Sequence, residues 1–199
     1  MRKNGYQRRR WKGMILAFFF AGLLLFDTTG FFCMMLLAIF VHEGGHLLAA
    51  RWLKLPRQGF SLDFTGARIE IAGRVISYGE EWLLAAAGPF CGLLFSALGA
   101  AFWRYTQYAA WFSCASLLLS LFNLLPIRGF DGGRMLACTL APCLGEGITA
   151  RVMRLCSFFS LFLIWATAIY FLLRAGDGIS LLFFSMTLFS RFFDACEDR

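Results

Sequence analysis

The apolar and polar positions of the chain alternate between long apolar runs and short charged or glycine-bearing stretches. Six apolar segments can be drawn, at roughly 13–27, 30–53, 82–103, 109–126, 153–173 and 179–193. Several fall short of the ~20 residues a perpendicular helix needs to cross the hydrocarbon. Tilt of neighbours, local thinning and snorkelling at the ends accommodate such spans. The pattern predicts a mostly α, polytopic membrane protein with about six transmembrane helices. One stretch breaks the helical period. FSLDFTGARIEIAGRVIS, residues 60–77, alternates around Thr65 and Gly66, with Phe60, Leu62 and Phe64 on one face and Ile69 and Ile71 on one face after the turn. It reads as a small membrane-associated β-hairpin between the second and third spans, with a third strand or a plain amphipathic linker as the alternatives.

Composition strengthens this reading. The chain is 59% hydrophobic, where soluble domains sit nearer half. No internal repeat, low-complexity tract or appended soluble domain is visible, so a single integral-membrane domain is expected over 1–199. The first segment, which follows MRKNGYQRRRWK, also resembles a signal peptide. No clear small-x-small cleavage site follows FDTTG, which favours an uncleaved anchor.

The net charge of +7 reads as topology rather than as a nucleic-acid or other anionic partner. With a cytoplasmic N-terminus and six crossings, every Lys and Arg except Arg104 and Arg174 falls on the inner side, the loop at 127–152 included. That is the positive-inside pattern. Losing one middle span would move the later charges across. The expectation is a multi-pass protein of a bacterial plasma membrane with both termini cytoplasmic. The seven cysteines are scattered, odd in number and without a CxxC pair. They read as reduced packing residues, not as a thiolate metal site.

The second span contains the costly residues. FVHEGGHLLAA, residues 40–50, holds His42 and His46, the only two histidines, with Glu43 between them. On a helix the i, i+4 spacing stacks both imidazoles on one face, which suits two ligands of one zinc. Glu43 lies beside that face, suited to act as general base on an attacking water. Buried, hydrogen-bonded histidines are the alternative. Three ionisable groups in this spacing within one span favour a functional site. Gly44 and Gly45 are read either as room for water, substrate or a neighbouring helix, or as ordinary small-residue packing with Ala49.

No histidine remains for a third ligand, thiolates are possible but unmotivated, and the remaining candidates are carboxylates. Asp27 and Asp177 fall on the outer side, and Asp63, Glu70, Glu80 and Glu81 belong to the hairpin and its exit. Asp194, Glu197 and Asp198 lie in the tail, and Glu146 in the loop. Asp131, in FNLLPIRGFDGGRML at the inner end of the fourth span, is favoured, with a solvated aspartate in a DG turn as the alternative. Gly132 and Gly133 let the backbone approach closely there. Pro126 should end or kink the fourth helix before Asp131. Asn123 is suited either to a substrate carbonyl or developing oxyanion, or to capping backbone freed by Pro126.

HEGGH in the second span and the pattern N-x-x-P-x-x-x-x-D-G-G (Asn123, Pro126, Asp131, Gly132, Gly133) after the fourth resemble the site-2 protease family of intramembrane zinc metalloproteases. The six-span layout resembles the branch that includes bacterial sporulation-factor processing enzymes, and the likeness runs over about 30–140, the expected catalytic core. The resemblance implies one zinc per chain held by His42, His46 and Asp131, water activated by Glu43, and Asn123 assisting at the substrate or transition state. AAAGPFCGLL, residues 85–94, looks like the family's Gly-Pro motif in the third span, with Gly92 where Asn is common. The PDZ and nucleotide-sensing domains often found in the family are not expected here.

The expected function is therefore hydrolysis of a peptide bond in or near a transmembrane segment of a substrate protein, for example an anti-sigma or pro-sigma factor, on the cytoplasmic side. Phe60, Leu62 and Phe64 mark the hairpin that would hold the extended substrate by strand addition. The partners implied are a membrane-protein substrate, the bilayer and a membrane-embedded regulator. A metal transporter and an inert scaffold that keeps the zinc site are the rival classes. Glu43→Gln, which should stop cleavage and leave zinc bound, separates both from a protease.

Overall fold

The structure is a computed structural model. It describes residue 27, residues 29–55, the backbone of 57–63 and 66–71, residues 76–175, and Met186. Helix α1 spans Phe31–Trp52, strands β1 and β2 Arg57–Asp63 and Gly66–Ile71, and helices α2, α3 and α4 Tyr78–Ala101, Gln107–Asn123 and Asp131–Ala175.

Each end of α1 is closed by local chemistry. Gly30 takes a left-handed φ of 77° at the N-cap. The Asp27 carboxylate accepts from the Gly30 N–H at 2.9 Å and the Cys33 N–H at 3.1 Å, and from the Thr29 hydroxyl at 2.9 Å. A carboxylate there faces the positive end of the helix dipole. Desolvation would raise the Asp27 carboxyl, but the bonds from Cys33, Thr29, Gly30 and Phe32 outweigh it and hold it below its ordinary value. At the other end Lys54 turns left-handed, with φ of 49°. The Leu55 N–H then reaches the Ala50 carbonyl and the Lys54 N–H that of Arg51. This is a Schellman closure with lysine in the position glycine usually takes.

The faces of α1 are inverted relative to a soluble helix. Ala38, His42, Gly45 and Ala50 are buried, while Phe40 and Leu48 are each more than 70% exposed. Large apolar side chains turned outward and a histidine turned inward suit hydrocarbon surroundings.

Helix α2 opens with a capping box. The Glu80 N–H donates to the Ser77 hydroxyl at 3.2 Å, and the Ser77 N–H returns to Glu80 Oε2 at 3.1 Å. Two orphan amides are satisfied reciprocally. Glu80 is thus a capping residue. Helix α3 ends at Asn123, three residues before Pro126. Helix α4 begins at Asp131 and is interrupted at Gly145, where φ and ψ of 74° and 161° are not helical.

Three helices among the described residues are long and apolar enough to cross a membrane: Phe31–Trp52, Tyr78–Ala101 and Asp131–Arg174. The expectation of six transmembrane helices is corrected by this. The fourth apolar segment forms a helix of 17 residues, about 25 Å at 1.5 Å per residue and short of the ~30 Å hydrocarbon core. The fifth lies in the part of α4 beyond the break at Gly145, which separates it from the stretch that begins at Asp131. The loop expected at 127–152 is helical from that residue, since Asp131 supplies an acidic helix start and the residues after Gly133 are good helix formers. The first and sixth segments lie outside the described residues, apart from Asp27 and Met186. The inner-side assignment of charges rested on six crossings and falls with that count. Between α1 and α2 the backbone runs as two antiparallel strands, Phe60 opposite Ile69 and Leu62 opposite Ala67, with a register irregularity between Arg57 and Gly59. The side chains of Phe60 and Leu62, and Phe64 altogether, lie outside the described residues.

The chain divides into two compact units, Met1–Val75 with Ala87–Ser120, and Ile76–Ala86 with Leu121–Arg199. In the described part of the first, α1 and α2 cross on small residues: a Cβ on Gly45 would meet the Ala87 carbonyl and Cys91. Helices α2 and α3 share a reciprocal serine pair. Ser96 Oγ donates to the Ser113 carbonyl and Ser113 Oγ to the Ser96 carbonyl, both at 2.8 Å. Gly92 packs on Ser120, and Gly99 on Phe112 and Ser113. In the second unit Ile127, Leu161 and Ile164 form a buried cluster with Phe122, Leu125 and Phe130 packed against it.

Candidate metal centre

The i, i+4 spacing in α1 puts both imidazoles on one face, and the structure turns them toward each other. The Nε2 atoms of His42 and His46 lie 3.4 Å apart. The ring centroids are 5.0 Å apart and the planes cross at 79°. Two nitrogens each 2.0–2.1 Å from one tetrahedral zinc would be about 3.3–3.4 Å apart. The observed separation fits that donor geometry. His42 is 3% exposed.

The second span's partner in this arrangement is Gly88 in α2. A Cβ built there would fall on the His46 ring, closest to Nε2, Cε1 and Cδ2. His46 therefore lies across bare backbone, and the Gly-Pro pair Gly88-Pro89 supplies the gap. Gly45 is the close-packing glycine of HEGGH, whereas a Cβ on Gly44 would meet nothing within 4 Å. Of the two readings offered for these glycines, packing applies to Gly45 and open space to Gly44. Glu43 follows His42 in α1 and is half-buried.

Asp131 is the first residue of α4 and is 8% exposed. The Gly132 and Gly133 positions explain why no side chain follows it. A Cβ on Gly132 would strike the Leu124 carbonyl, and one on Gly133 the Ile127 carbonyl. The DGG sequence is a helix start pressed against the preceding loop, not a solvated turn. Arg134 stands 3.8 Å from Asp131 Oδ1 and 3.6 Å from Glu81 Oε1. Asn123 is the half-buried last residue of α3.

His42, His46 and Asp131 each offer a ligand atom, and these atoms all lie within 4.8 Å of one another. Two imidazoles and a carboxylate are a hydrolytic zinc donor set that leaves a fourth position open.

A family model described as Peptidase family M50 matches residues 98–167 of the chain. A protein of Mycobacterium tuberculosis named as a zinc metalloprotease, Rip3, is 28% identical over 129 residues, which are 60% of this chain and 33% of that protein. A protein of Brucella suis, also named as a zinc metalloprotease, is 37% identical over 73 residues, 36% of this chain and 18% of that protein. Over these stretches the chain is similar to zinc metalloproteases of the M50, or site-2 protease, family. It spans about a third of the length of the curated relative matched over 129 residues. The fold is similar to that of a solved structure, the site-2 protease from Methanocaldococcus jannaschii, which superposes with a TM-score of 0.63, covering 91% of this chain and 86% of that one at 18% identity. The residues matched to the M50 model contain Asn123, Pro126, Asp131, Gly132 and Gly133 but not HEGGH, so the two halves of the donor set rest on different observations.

Two contributors escaped the reading of the sequence. The Ser77–Glu80 capping box carried a recognisable S-x-x-E signal. Gly88 as the seat of His46 carried none beyond its place in a Gly-Pro pair, because the contact is made between helices.

Proposed function

We propose that the protein is an intramembrane zinc metallopeptidase that hydrolyses a peptide bond in or near a membrane segment of another protein. The observation that carries this is the pair of Nε2 atoms 3.4 Å apart on a helix long and apolar enough to cross a membrane. The carboxylate of Asp131 within 4.8 Å supports it.

His42, His46 and Asp131 would hold the zinc, which when bound supplies Lewis-acid polarisation of the scissile carbonyl and a water of lowered pKa. Glu43 does the proton work. It lies about 100° around α1 from His42 at 3.6 residues per turn, accepts a proton from the attacking water, and delivers it to the leaving amine. Asn123, at the end of α3, donates its amide N–H to the substrate carbonyl as negative charge develops there. The open face at Gly44 leaves room for an extended peptide beside Glu43.

The substrate is a membrane protein whose helix unwinds locally, since a helix hides its amides. Arg51 lies in the last turn of α1, five residues beyond His46, and Arg128 and Arg134 flank Asp131 in the sequence.

The test is co-expression with candidate single-span membrane proteins, comparing the native chain with Glu43→Gln, alongside elemental analysis of both. Cleavage by the native chain, its loss in Glu43→Gln and equal zinc in both support the reading. Cleavage unaffected by Glu43→Gln, or zinc-dependent metal flux into proteoliposomes without cleavage, overturns it.

A further inference from the structure

The loop between Asn123 and Asp131 is held by a residue far along the chain. Ser157, fully buried in α4, accepts from the Arg128 N–H at 2.9 Å and donates to the Pro126 carbonyl at 3.4 Å. It brackets Ile127 on both sides. Ile127 is buried against Leu161 and Ile164. Met153, Ser157, Leu161, Ile164 and Ala168, at intervals of four, four, three and four, are all buried. That spacing is one face of a helix. The stripe is apolar except at the serine, and the Met153 methyl group reaches 3.3 Å from where a Cβ on Gly133 would be. One face of α4 thus grips the loop at 126–128 and the helix start at Gly133.

A serine belongs at this point for a physical reason. Irregular backbone at membrane depth has no water to satisfy it and must find partners in protein. The loop's own turns use the Leu125, Ile127 and Phe130 N–H groups. The Arg128 N–H and the Pro126 carbonyl need one acceptor and one donor, and a hydroxyl is both.

We propose that Ser157 is a positioning residue for Asp131: by tying both sides of Ile127 to α4 it fixes the loop whose carbonyls Gly132 and Gly133 abut, and so fixes where the Asp131 carboxylate begins its helix. The proposal rests on the reading of Asp131 as a zinc ligand. It concerns retention of the metal, which is measured separately from peptide hydrolysis.

The experiment uses the full chain in detergent and three forms, native, Ser157→Ala and Ser157→Thr. Far-UV circular dichroism checks the fold. Zinc loss to a chelator is then timed, and KM and kcat are measured on a cleaved membrane substrate. Ser157→Ala should keep its helix content and lose zinc about 10–100-fold faster, the range seen when an outer partner of a metal ligand is removed. Ser157→Thr, which keeps the hydroxyl, should restore retention. The kcat of Ser157→Ala should fall more than KM rises. A folded Ser157→Ala that holds zinc as the native chain does overturns the proposal. If Ser157→Ala does not fold, hydrogen exchange on the native chain decides: an Arg128 amide that exchanges as fast as an open loop overturns the proposal, and a protected one supports it. A native chain that retains zinc through Ser157 yet cleaves no substrate would defeat the peptidase reading and leave this one standing.

Discussion

The His46 imidazole occupies the space that any side chain at position 88 would need. The two residues lie on different helices, and the ring can take its place only because position 88 has no Cβ. Gly88→Ala is therefore expected to displace the ring while leaving α2 helical, since alanine favours a helix more than glycine does. Zinc affinity should fall at least about 10-fold, by analogy with other disturbances just outside a metal's ligands. Equilibrium zinc titration of the purified variant reads this directly, and native-like affinity would mean the ring has another place to go.

Glu43→Gln keeps the shape of the side chain and removes its capacity to take a proton. Zinc content should match the native chain, and cleavage should fall by about 10²–10⁴-fold, the usual contribution of a general base. Paired elemental analysis and a single-turnover cleavage assay separate the two quantities.

Removing a donor should have the opposite signature. His42→Ala and Asp131→Ala are expected to purify with little zinc, and excess zinc should restore neither metal content nor cleavage at concentrations that saturate the native chain. In the native chain, chelation should abolish cleavage and added zinc return it.

Gly44 and Gly45 are neighbours in the motif with different surroundings. A methyl group at Gly44 meets nothing within 4 Å, whereas at Gly45 it meets the Ala87 carbonyl and Cys91. Gly44→Ala should fold, bind zinc and gain about 0.5–1 kcal/mol in stability from the lost backbone freedom of glycine. Gly45→Ala should lose about 1–3 kcal/mol through overpacking. Thermal denaturation in detergent distinguishes them.

Gly132→Ala drives a methyl group into the Leu124 carbonyl. The loop cannot yield easily, because Ile127 is buried beside it. The variant should melt lower than the native chain, by an amount comparable with Gly45→Ala, and should lose zinc faster because Asp131 is the adjoining residue. A melting temperature equal to that of the native chain would show that the loop retreats freely.

What could be read from the sequence divides along the range of the interactions. HEGGH was legible because its meaning depends on the period of one helix, which puts His42 and His46 on one face without reference to any neighbour. Asp131 was reachable by elimination, since few carboxylates lay near the right end of a span. The helix start at Asp131 was hidden because Gly132 and Gly133 look like a turn; they are there to avoid the Leu124 and Ile127 carbonyls, which is a fact of packing. The number of crossings was overdrawn because apolar runs report apolarity, and the run ending at Pro126 is too short once folded. Gly88 and Ser157 act across helices, so beyond the Gly-Pro pair at 88–89 nothing in their local sequence marks them.

The reciprocal hydroxyl-to-carbonyl bonds of Ser96 and Ser113 join α2 to α3 at a level where no solvent competes for either partner. With Gly92 and Gly99 letting the two backbones close up around that clasp, the pair behaves as a single plank. Prising the two helices apart would leave both hydroxyls without partners in a medium that offers none.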